Sequence, residues 1–108
     1  MPQYIFVYLG GEPPLDPEEG QKHFTKYQQW LSSLGDAVVS PAIPFKDTHT
    51  VHPDSTFEPG TTTAMSGLSI IKMPSMDAAL KVAQSCPFLE INGTLEISEM
   101  IQMSSKEN

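Results

Sequence analysis

The sequence predicts an α+β domain in which two helices lie on one face of a four-stranded antiparallel sheet, in the order βαββαβ, with an extra hairpin after the second strand. Three observations predict it. Four segments carry strand-like apolar runs or alternation, and two segments between them carry helix start signals with a period near 3.6. At 108 residues the chain has room for one hydrophobic core and not two. Hydrophobic residues make up 39% of it, enough apolar surface to offset ordering entropy, so residues 1–103 read as one packed domain and 104–108 as a flexible tail.

Gln3 to Leu9 reads as a central strand because both faces are apolar, Tyr4, Phe6 and Tyr8 on one and Ile5, Val7 and Leu9 on the other. Gly10-Gly11 ends it, and Glu12-Pro13-Pro14 forms a loop. Asp16-Pro17-Glu18-Glu19 then starts a helix, with Asp16 as N-cap, Pro17 at the first helical position and Glu19 placed for a capping box. That helix runs to Leu34 and stops at Gly35. At roughly 100° per residue, Trp30, His23, Leu34, Tyr27, Leu31 and Phe24 share an arc of about 120°, the width of a buried stripe.

Ala37 to Phe45 is the second strand. Pro41 and Pro44 each remove a ladder donor and confine it to a bulged edge position. Thr48 to His52 and Thr56 to Glu58 pair as a hairpin around Pro53-Asp54-Ser55. Gly67 to Met73 is the other central strand. Ser75 caps a second helix, on which Met76, Ala79, Leu80, Ala83 and Cys86 share a face before Pro87 ends it. Thr94 to Met103 alternates as a last strand with one wetter face. Right-handed crossovers put both helices on the same side of the sheet. The other apolar face of the first strand is then left uncovered, and sheet-on-sheet packing with a second copy, a homodimer, is the economical way to cover it.

Six lysines and no arginine stand against thirteen acidic residues, a net charge of −7 with no basic cluster. That balance argues against nucleic acid and anionic membrane surfaces as partners, since Lys and Arg contacts to phosphate supply most of such affinity. No apolar run reaches the roughly 20 residues that span a bilayer, and the start of the chain has no signal-peptide pattern. With a single cysteine, the expected location is cytoplasmic.

His23 is the best candidate for chemistry. On a helix face that looks onto a cavity, an imidazole acts as general acid or base near neutral pH; packed in a core, it is satisfied by a carbonyl or a sheet side chain. Tyr4, Tyr8, Tyr27 and Trp30 offer rings and polar tips for lining a pocket around a cyclic or aromatic metabolite, and are equally good core residues. Cys86, on the apolar side of a helix C-terminus, reads as a packed pocket-side residue and not as a nucleophile. His49 and His52, with Asp47 and Asp54, have metal-ligating side chains, but on a strand the two histidines point to opposite faces; the stretch reads as a solvated hairpin, and no metal is expected.

Tyr4-Ile5-Phe6-Val7-Tyr8-Leu9-Gly10-Gly11, His23-Phe24-Thr25-Lys26-Tyr27, Ser66-Gly67-Leu68-Ser69-Ile70-Ile71, Ser75-Met76-Asp77-Ala78-Ala79-Leu80 and Cys86-Pro87-Phe88-Leu89-Glu90 follow one another in an order and spacing that resemble the YCII-related domain proteins. These are small ferredoxin-like proteins that pair as dimeric α/β barrels. One branch carries Asp-Gly-Pro-Phe after the hairpin, where this chain has Glu58-Pro59-Gly60. Another pairs the histidine of the first helix with an aspartate, and a few of its members resemble lyases acting on chlorinated hydroxyaromatics. The resemblance places that histidine at His23. Some relatives have an aspartate where Cys86 stands before Pro87, and Asp36 is the other candidate acid. The implied function is a lyase or isomerase that needs no cofactor and uses His23 as general acid or base. The alternative is a non-catalytic ligand-binding, accessory or regulatory dimeric protein.

Overall fold

The computed structural model describes residues 1–101. In chain order it contains β1 (Gln3–Gly10), α1 (Pro17–Leu34), β2 (Val38–Pro44), β3 (His49–Val51), β4 (Phe57–Pro59), β5 (Met65–Lys72), α2 (Met76–Ala83) and β6 (Gly93–Glu99). Two 3-10 turns, Gly35–Ala37 and Pro87–Ile91, join the helices to the strands that follow. The main sheet has the order β2-β5-β1-β6 with every neighbouring pair antiparallel, and β3 and β4 form a separate two-stranded ribbon. This is the α+β arrangement expected from the sequence, with the two apolar strands β1 and β5 at the centre and the proline-bearing β2 at an edge.

Local chemistry sets the boundaries. Asp16 caps α1, its Oδ1 accepting from the Glu19 amide at 2.8 Å, and Gly35 closes the helix at φ +56. The β2 ladder slips between Val38 and Ser40 and again between Ser40 and Ile43, an interval that contains Pro41, whose nitrogen has no hydrogen to give. Two elements differ from expectation, α2 in two respects and β6 in one. The second helix ends at Ala83, and Pro87 begins a 3-10 turn that the apolar pattern did not announce. Leu80 faces outward, because α2 approaches the sheet along its small residues Ala79 and Ala83. The last strand ends at Glu99, where the Met100 amide donates to the Gln3 carbonyl at 2.8 Å; Gln102, Met103 and the expected tail lie outside the described residues.

One face of β1 is the core. Tyr4, Phe6 and Tyr8 are almost fully buried, opposite Ile71, Ser69 and Gly67 of β5 and Glu99, Ile97 and Leu95 of β6. Trp30 of α1 packs on Phe6 with ring centroids 6.4 Å apart, and its indole Nε1 donates to the Val82 carbonyl (3.2 Å) and Ser85 Oγ (3.1 Å), tying α1 to the end of α2. Each such ring contributes roughly 1.5–3 kcal/mol by burial.

The opposite face carries Ile5, Val7 and Leu9 beside Leu68 and Ile70, all only partly buried. The molecule is 20 Å through its thinnest dimension, the depth of one sheet and one helix layer at about 10 Å each. Its radius of gyration, 15.8 Å, exceeds the about 13 Å of a compact chain of this length, as befits a slab whose β3–β4 ribbon packs chiefly on itself. No helix of the described residues is long and apolar enough to cross a membrane.

Gly67 lets β2 approach β5: a Cβ there would lie 2.7 Å from the Ile43 carbonyl oxygen and 3.3 Å from Pro44 Cα. Gly67→Ala is expected to lower stability by about 1–3 kcal/mol, read from the midpoint of urea unfolding; an unchanged midpoint would show that the β2 backbone yields at no cost.

Candidate functional site

A cavity of about 630 Å³ opens where α1, along a face from Glu19 to Leu31, passes over the end of β2 and the Pro87–Ile91 turn. Gly67 of β5 and the last residues of β2, Pro41 to Pro44, form one wall beside Tyr8. On the far side Phe88 lodges beside Gly11 and Gly93; a Cβ on Gly11 would sit 2.8 Å from its ring. Phe88 in turn packs on Tyr8, with ring centroids 5.1 Å apart.

His23 lies on this wall, half-buried. It sits one turn before Tyr27 on α1, and the two rings meet edge-on, 6.2 Å apart at 72°. Tyr27 packs in the same way on Tyr8 (6.0 Å, 74°) and Trp30 (5.5 Å, 82°). A chain of hydroxyls starts at Tyr27, which donates to the Tyr8 hydroxyl; Tyr8 is in turn hydrogen-bonded to the fully buried Ser69 Oγ. Tyr8 thus accepts from Tyr27, and in its bond with Ser69 either hydroxyl can donate. Burial is the main cause that raises the pKa of both phenols above the ordinary tyrosine value, so both stay protonated at neutral pH.

The other expected site residues are placed differently. Tyr4, Trp30 and Cys86 are buried in the core behind the cavity and are not part of its lining. Burial pushes the Cys86 thiol up to about 11, which keeps it a thiol. Asp36 is exposed in the Gly35–Ala37 turn, beyond the far end of α1; thirteen residues separate it from His23, about 17 Å along the helix before the turn begins, and it does not line the cavity. Phe24, placed by periodicity in the buried stripe, is instead 55% exposed at the cavity rim.

Several carboxylates near the cavity escaped the sequence reading. Glu12 and Glu19 line it, Glu12 accepting from Asn92 Nδ2 at 2.8 Å. Glu90 bonds Lys26 Nζ at 2.8 Å across the α1 surface, and Lys26, with a smaller contribution from His23, holds its carboxyl below the ordinary value. Among the described residues no carboxylate lies within ion-pairing distance of His23 itself. Glu12 comes to this place through the irregular loop before α1 and Glu90 through a turn distant in sequence, and no spacing signals either. Only Glu19, four residues before His23 on one helix face, was open to detection.

His49 and His52 stay apart in the ribbon. His49 Nδ1 is 3.2 Å from the Asp47 carbonyl oxygen, while His52 Nε2 pairs with Glu58 at 2.6 Å. Among the described residues no three His, Cys, Asp or Glu side chains gather closely enough to hold a metal ion.

The hydroxyl chain generates a prediction about stability. Tyr8→Phe removes the partner of a buried serine and leaves Tyr27 without its acceptor, and is expected to cost about 1–3 kcal/mol, whereas adding Ser69→Ala recovers part of that loss. A double-mutant cycle by urea unfolding measures the coupling, and additive losses would disprove it. In comparisons with known proteins, no family model matches the chain and no curated protein matches it.

Proposed function

We propose that this protein is a YCII-related dimer that holds a small cyclic or aromatic metabolite in the cavity and moves a proton on it with His23, as a lyase or isomerase without a cofactor. The observation that carries the reading is the position of His23: a half-buried imidazole on the wall of a cavity of ligand size, against the ring of Tyr27. A neutral imidazole takes a proton from a substrate carbon and returns it to a neighbouring atom or to the leaving group. The apolar rings of Phe24, Tyr27 and Phe88 hold the substrate and exclude water. The absence of an ion-paired carboxylate at His23, among the described residues, favours a second reading in which the same cavity binds its ligand without turning it over.

The two readings separate experimentally. In the first, His23→Gln leaves melting temperature within a few degrees of the parent and lowers turnover of a substrate found in a panel of cyclic and aromatic metabolites by about 10²-fold or more. Unchanged turnover would sink it, and a ligand that raises the melting temperature without any product would establish the second.

Dimerisation through the open sheet face belongs to the same proposal. Its apolar centre, Ile5, Val7, Leu9, Leu68 and Ile70, is bordered on β6 by Thr94, Glu96 and Ser98, a pattern suited to a second sheet stacked about 10 Å away. Light scattering is expected to report a dimer at micromolar concentration and a monomer for Val7→Glu. A monomeric parent protein would contradict it.

A further inference from the structure

We infer that the cavity is built for an amine: a cyclic or aromatic molecule that arrives as a cation and donates hydrogen bonds. The inference rests on the reading of the cavity as a ligand site and names the chemistry of what enters it.

Charge is the first ground. No lysine lines the cavity, the chain has no arginine, and two carboxylates, Glu12 from the loop after β1 and Glu19 from the first turn of α1, do line it. Of the two lysines of α1, Lys22 and Lys26, neither lines it, and Lys26 is engaged by Glu90 at 2.8 Å. The positive end of α1 is also close, but Asp16 caps it and Glu18 and Glu19 occupy its first turn, so it offers little to an external anion. In a chain of net charge −7, a concave site with this lining concentrates cations and repels carboxylates and phosphates.

Hydrogen-bond polarity is an independent ground. Tyr27 donates inward to Tyr8, so its proton points into the core and a lone pair on Tyr27 Oη is left over. The hydroxyl of Ser66, another lining residue, donates to the Tyr8 carbonyl at 3.2 Å. What remains for a ligand is mostly acceptors, namely two carboxylates and a phenol oxygen. The donors are the Gln28 amide and one ring nitrogen of His23. An ammonium group, with donors only, satisfies such a lining, whereas a carboxylate meets oxygen with oxygen. The rings of Tyr8, Phe24, Tyr27 and Phe88 complete the match, because aromatic faces attract a cation and bury the apolar body behind it.

Three probes of one shape and different charge test this by calorimetry on the full chain: naphthylmethylamine, naphthylmethanol and naphthoate. The amine is expected to bind about tenfold tighter than the alcohol at low salt, and naphthoate weakest. The advantage of the amine should shrink in high salt and disappear in the Glu12→Gln/Glu19→Gln double variant, yet persist in Asp77→Asn, which removes a charge on α2. Alcohol or naphthoate binding as tightly as the amine would overturn the inference while leaving the cavity a ligand site. An amine preference indifferent to Glu12 and Glu19 would overturn it as well, as attraction to an acidic surface in general. Failure of all three probes to bind would sink the inference together with the reading beneath it.

Discussion

The aromatic face of β1 sets the spacing of the whole molecule. Tyr4, Phe6 and Tyr8 stand on the helix side of a central strand, and their rings determine how high α1 and α2 sit above the sheet. Where small residues face them the layers close: Ala79 and Ala83 bring α2 down, and Trp30 fills the space beside Phe6 while bonding the end of α2. At the Tyr8 end the layers do not close, and the cavity lies there between α1, the last residues of β2 and the Pro87–Ile91 turn.

Tyr8 therefore serves two layers at once. Its ring is core, packed on Tyr27 and Phe88, and its hydroxyl connects the helix-borne Tyr27 to Ser69 in the middle of β5. A buried serine in a strand flanked by apolar neighbours is costly unless partnered, and the phenol partners it. The Tyr8 hydroxyl also accepts from Tyr27, which turns the Tyr27 proton inward and leaves a phenol lone pair as what that residue offers the cavity. Stability of the core and chemistry of the site are in this way one interaction seen from two sides.

The two faces of the sheet make different demands. The helix face is covered within the chain except at the cavity, with no buried side-chain polar atom left unpartnered among the described residues. The other face has a row of aliphatic side chains and no layer over it. A protein only two layers thick buries its central strands on one side alone, and this asymmetry is what links the proposed dimer to the fold. The ribbon β3–β4, with Val51 and Phe57 paired and largely exposed on one side, adds apolar surface beyond the slab.

Local patterns in the sequence were sufficient for the order of elements. The period of apolar residues picked out β1, α1 and β5, Asp16 and Gly35 marked the ends of α1, and Pro41 and Pro44 marked β2 as a bulged edge, because these signals act through backbone geometry within a few residues. His23 was legible for the same reason, as a titratable group on an apolar helix face. Only the tertiary structure decided what surrounds it. Tyr8 and Tyr27 line the cavity while Tyr4, Trp30 and Cys86 lie behind it, although all five read alike in sequence. Asp36 belongs to the wrong end of a rigid helix, and the carboxylates that do approach, Glu12 and Glu90, arrive through turns far apart in the chain. Periodicity reports which face of an element is buried; it carries no information on which two elements diverge, and a cavity is made where they do.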